Sequence, residues 1–134
     1  MGLTREQPVV RGSAEQNSCV VIVCEGEEAA QVRRQLSDQK IGCLMTYRRV
    51  EDMVLNSPAG RVALVILAGE DDPAGTQRAL RLLRHRWPGC PITVVSKAGG
   101  VAHERAAREG GAFYLTSGEV GQQLPGMVSH SLRA

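Results

Sequence analysis

Five short apolar runs alternate along the chain with stretches whose apolar residues recur at helical spacing. "CVVIVC", residues 19–24, is a continuous, mostly β-branched run of strand length, the pattern of a strand covered on both faces. "VALVILA", residues 62–68, is the most buried-looking of the runs and predicts the central strand. "KIGCLMTY" is a less regular second strand, "PITVVS" a fourth and "AFYLT" a fifth. Between them, Ala29, Val32 and Leu36 form an i, i+3, i+7 stripe, and Val50, Met53 and Val54 a short helical face that ends at Pro58 and Gly60. Leu80 and Leu83 mark a third helix and "GVAHERAAREG" a fourth. A last helix would turn Val120, Leu124, Met127, Val128 and Leu132 inward, although Pro125 and Gly126 weaken its first turns.

Strict alternation of strand and helix demands right-handed crossovers and a parallel sheet. The expected fold is α/β, a flavodoxin-like (βα)5 doubly wound parallel sheet with strand order 2-1-3-4-5. Its ligand crevice lies at the carboxyl ends of strands 1 and 3. Residues 1–17 are polar, carry Pro8, Gly12 and Ser13 and show no periodicity, so they read as a flexible leader to a single domain over residues 18–134.

Composition narrows the function classes. A chain of 134 residues builds one core without staples, and with one Trp, two Tyr and one Phe that core is aliphatic. The net charge of +2 is spread along the chain, which is not the footprint of a nucleic-acid binder, so no direct nucleic-acid contact is expected. The basic stretch "RALRLLRHR" sets arginines 78, 81, 84 and 86 opposite Leu80 and Leu83, a solvated helix face before it is an anionic docking surface. No run approaches the ~20 apolar residues of a membrane span, and the N-terminus lacks the apolar core of a signal peptide, so a cytoplasmic protein is expected. Cysteines 19, 24, 43 and 90 make no C-x-x-C pair and suit reduced, mostly buried thiols. His85, His103 and His130 have no partner at ligand spacing, so no metal site is expected. The glycine turns "SKAGG" and "REGGA" lack phosphate-loop spacing.

The segments "VVIVCEGEEAAQVRRQL", "VALVILAGEDDPAG", "PITVVSKAG" and "AAREGGAFYLTS" resemble the first strand and helix, third strand, fourth strand, and helix 4 to strand 5 of the receiver domains of bacterial two-component response regulators. The likeness extends from Ser18 to Leu132. It implies phosphoryl transfer from a histidine kinase to an aspartate ending strand 3. An acidic pair ending strand 1 would hold Mg²⁺ with that aspartate, a Ser or Thr ending strand 4 would bond the phosphoryl group, and a Lys ending strand 5 would pair with its charge. Here the acidic pair falls on Cys24 and Glu25, which sets a soft sulfur where Mg²⁺ wants oxygen. The acceptor position falls on Ala68, and its neighbours Leu67 and Gly69 carry no carboxylate. Ser96 keeps the strand 4 hydroxyl, but the lysine position falls on Ser117, leaving Lys97 as the one cation near in sequence.

Loss of the nucleophile alone abolishes a unit whose parts act together. The expectation is therefore a pseudo-receiver: not an enzyme, without a cofactor, and working by phosphorylation-independent contact with protein partners in signal transduction or transcription control. Two alternatives remain. One is a small-ligand or anion-binding domain using the strand 1/strand 3 crevice, with Glu25, Asp71 and Ser96 as its polar groups. The other is a displaced phosphoacceptor at Asp71 or Asp72. Against both, the acidic loop Glu70, Asp71 and Asp72 reads first as helix capping, with Asp72 before Pro73 at the cap. Cys24 reads as an inert small residue before a redox thiol. Tyr114 matches the strand 5 aromatic that the family couples to the strand 4 hydroxyl; the plain alternative is a half-buried Tyr with its hydroxyl in water. The family's dimerisation face, helix 4, strand 5 and helix 5, would here offer His103, Glu104, Arg105, Arg108 and Glu109 to a homodimer.

Overall fold

The first apolar run becomes β1, Ser18–Cys24, in which all seven residues are buried, because strands lie on both sides of it and helices on both faces. The computed structural model describes residues 18–68, 72–97 and 100–133. The remaining strands are β2 (Cys43–Tyr47), β3 (Arg61–Ala68), β4 (Ile92–Ser96) and β5 (Phe113–Thr116). Together they form one parallel sheet in the order β2-β1-β3-β4-β5. Five α-helices alternate with the strands: α1 (Glu28–Gln35), α2 (Val50–Leu55), α3 (Pro73–Arg86), α4 (Val101–Glu109) and α5 (Val120–Arg133).

Period-two alternation divides the core in two. Cys19, Val21 and Val23 of β1, with Val65, Leu67, Ile92 and Val94, pack under α2, α3 and α4. Val20, Ile22 and Cys24, with Leu64, Ile66 and Val95, pack under α1 and α5. The apolar stripes read from the sequence face these layers: Val32 and Leu36 on α1, Met53 on α2, Leu80 and Leu83 on α3. Strand β2 is the exception to full burial, with three of its five residues half-buried and one exposed, because it forms an edge.

The last helix runs unbroken through Pro125 and Gly126, contrary to the weak start expected of it. Proline denies the Gly121 carbonyl its helical donor, but Gly121 faces solvent, so water can serve that carbonyl. Val120, Leu124, Val128 and Leu132 meanwhile bury one continuous stripe, which outweighs the local defect. A 3₁₀ turn, Ser117–Glu119, leads into α5. There Glu119 Oε1 accepts from the Thr116 backbone N–H at 2.8 Å and from its hydroxyl at 3.1 Å.

One arginine of the basic stretch departs from the solvated face expected of it. The half-buried Arg84 donates to the carbonyls of Cys90 and Gly111 at 2.6 Å each, and to Gly110 at 3.3 Å, tying the end of α3 to the turns before β4 and β5. Arg78, Arg81 and Arg86 are exposed, and Arg86 lies 4.9 Å from the Trp87 ring centroid.

Candidate functional site

Because β1 lies between β2 and β3, the carboxyl ends of β1 and β3 open a crevice at the point where the winding reverses. Its floor is set by register: Cys24 pairs directly with Ala68, and both are buried. The two strand ends therefore present a thiol and a methyl side by side. Burial raises the Cys24 thiol above its ordinary value, and hydrogen bonding from the backbone at Gly26 and Ala29 opposes this only in part. That is the environment of an inert thiol. Glu25, one residue on, is exposed.

A polar side chain that meets Cys24 is one that the sequence reading did not single out. Glu28, in the first turn of α1, brings Oε1 to 3.8 Å from the Cys24 sulfur and Oε2 to 3.6 Å from Lys97 Nζ. The lysine noted beside strand 4 thus reaches across the crevice to a glutamate. The Lys97 side chain is 73% exposed, so the pair is worth little energetically. Nothing in the sequence sets Glu28 apart from Glu25 and Glu27 beside it, and only the return of β4 beside β3 brings Lys97 to it. Ser96 is buried at the end of β4, and the Ser117 hydroxyl donates to its carbonyl at 3.5 Å. Asp72 is exposed and accepts from the Ala74 N–H at 3.1 Å, so it caps α3 as its place before Pro73 predicts. Glu70 and Asp71 lie outside the described residues.

His103 is not on a protein-binding surface as expected. It is buried between α3 and α4, its Nε2 2.9 Å from the Thr76 hydroxyl, because its place on α4 turns it inward together with Ala106 and Ala107. Its ring centroid lies 6.3 Å from that of Tyr114. The Tyr114 hydroxyl is not in water either: it is buried, without a hydrogen-bond partner among the described residues. Arg105 and Arg108 do face solvent, with Arg108 paired to Glu104 at 2.9 Å along the helix.

On the α2 and α3 side of the crevice a cleft of about 580 Å³ opens between the end of β2 and α3. Arg48, Arg49, Arg78 and Arg81 line it, with Glu25 and Glu51 as its acidic groups. Among the described residues, no three His, Cys, Asp or Glu side chains come together as a metal cluster, and no helix is long and apolar enough to cross a membrane.

No family model matches the sequence, and no curated protein matches it. Solved structures do. The response regulator receiver protein from Pseudoalteromonas atlantica is 16% identical and superposes with a TM-score of 0.72 over 86% of this chain and 97% of its own. The beryllofluoride-activated DrrB receiver domain is 18% identical, with a TM-score of 0.69 over 87% and 97%. The chain has the receiver-domain fold. The signal receiver domain of an HD domain-containing protein from Pseudomonas fluorescens Pf-5, 18% identical with a TM-score of 0.67, extends the superposition to 97% of this chain. In this fold Cys24 and Ala68 end β1 and β3 side by side, and Ser117 follows the end of β5.

Proposed function

We propose that this domain is a regulatory module of the receiver fold that acts by contact with a protein partner and carries no aspartyl phosphate. One observation supports this above the others: at the paired ends of β1 and β3 stand Cys24 and Ala68, both buried, so the strand ends offer no carboxylate. Phosphoryl transfer needs a nucleophile there, and Mg²⁺ needs oxygen ligands that a methyl and a soft sulfur do not supply. The domain is accordingly neither an enzyme nor a magnesium protein. Lys97, which follows Ser96 at the end of β4, is paired with Glu28 at 3.6 Å.

The partner surface in this reading is the face of α4, β5 and α5. Arg105 and Arg108 are exposed there, Phe113 is 56% exposed and Val101 73%. The receiver domain of NtrC4 forms a dimer in its beryllofluoride-activated state, and RcsB from Salmonella enterica is bound to a promoter. By analogy, a second copy of this chain or a neighbouring signalling protein would sit on that face, with any DNA contact made by a separate output domain.

The test is incubation with Mg²⁺ and a small acyl phosphate, followed by intact-mass measurement under conditions that preserve acyl phosphates. The expected result is an unchanged mass. A gain of one phosphoryl group that disappears in Asp71→Asn or Asp72→Asn would overturn the reading in favour of a displaced acceptor. The capping bond of Asp72 argues against that outcome, since its carboxylate is already committed to the α3 backbone.

A further inference from the structure

The cleft between the end of β2 and α3 has a charge pattern of its own. Arg48 and Arg49 leave β2, while Arg78 and Arg81 stand on consecutive turns of α3 and face the same opening. Among the described residues, Arg48, Arg78 and Arg81 make no ion pair, and Arg49 has only a 4.0 Å contact to Asp52. Four arginines therefore line one concavity, together with two acidic residues, Glu25 and Glu51. Guanidinium is the side-chain group best suited to phosphate, through its planar fork of donors.

The floor is not polar. Val23 and Leu67 from the strands, with Ala79 and Leu82 from α3, give it an apolar surface. A volume of about 580 Å³ lies inside the range of small-molecule sites and well above the size of a bare oxoanion. The cleft adjoins the winding reversal, where open α/β sheets bind ligands.

We propose that this cleft binds a nucleoside phosphate, with its phosphates on Arg78 and Arg81, its base over the Leu67 and Leu82 floor, and its hydroxyl or amino groups bonded to Glu25 or Glu51. An acidic protein segment fits less well, because its carboxylate side chains bring neither a flat apolar ring for the Leu67 and Leu82 floor nor hydroxyl or amino donors for Glu25 and Glu51. The inference goes beyond the regulatory reading and does not rest on it: a domain without a phosphoacceptor could carry this site whether or not it contacts a protein.

The test is isothermal titration of the full chain with ATP and GTP, with tripolyphosphate and inorganic phosphate as controls, repeated for the Arg78→Gln/Arg81→Gln double variant. Both positions are exposed, so the variant should fold, and its urea midpoint verifies this. At least one nucleotide should bind saturably at one per chain, about tenfold more tightly than tripolyphosphate. The double variant should lose at least about tenfold in affinity, the equivalent of one charge-assisted hydrogen bond. No nucleotide binding, equal binding of tripolyphosphate, or undiminished binding by the folded double variant would each overturn the proposal.

Discussion

Single residues decide whether the polar groups inside this fold are a liability or a support. Thr76 and His103 satisfy each other in the seam between α3 and α4. Thr76→Val should strand the imidazole and cost about 1–3 kcal/mol in urea unfolding. The double variant Thr76→Val/His103→Leu should recover part of that, so a double-mutant cycle will show coupling where additivity would deny the bond. Cys90 is a second case. Burial pushes its thiol from the ordinary 9.0 up to about 11, so the folded state holds the proton more tightly than the unfolded state. Its contribution is then complete below about pH 9 and is lost as pH climbs toward 11. Over that window the parent protein should lose on the order of 2–3 kcal/mol more than Cys90→Ala, measured by denaturant midpoints at each pH.

Elements are held by their stripes, and local propensity yields where the stripe is strong. Helix α5 tolerates Pro125 for this reason, and Gly126 beside it is exposed with open space where a side chain would stand. Gly126→Ala should raise stability by about 0.5–1 kcal/mol, since a helical glycine costs backbone entropy and gains nothing here. Gly110 is the opposite case: an added Cβ would run into the Leu80 side chain at the α3/α4 contact. Gly110→Ala should therefore destabilise by about 1–3 kcal/mol, and thermal melts of the two alanine variants should move in opposite directions.

At the scale of the whole molecule the sheet separates two cores that share no side chain. Ile92 belongs to the layer under α2, α3 and α4, and Ile66 to the layer under α1 and α5. Ile92→Val and Ile66→Val should each cost about 0.5–1.5 kcal/mol, and the double variant should equal their sum to within about 0.5 kcal/mol. A marked departure from additivity would mean that the sheet transmits strain between its faces. The same architecture leaves β2 at an edge and gathers the ends of β1, β2 and β3 around one opening, which is why the crevice and the arginine cleft adjoin.

The sequence by itself determined the strands, the helices and a parallel sheet, because runs such as "CVVIVC" and "VALVILA" are buried on both faces and helical stripes such as Val32 and Leu36 are buried on one. It also located Cys24, Ala68, Ser96 and Ser117 near strand ends, since those positions follow from strand boundaries alone. Tertiary structure decided everything that needs two distant segments to meet. Glu28 closes on Lys97, His103 turns inward to Thr76, Arg84 leaves solvent for three carbonyls, and Arg48 comes to face Arg78 and Arg81. Periodicity reports which face of an element is apolar. It carries no information on which polar side chain of one element lies opposite which of another, and that pairing is where the chemistry of this protein lies.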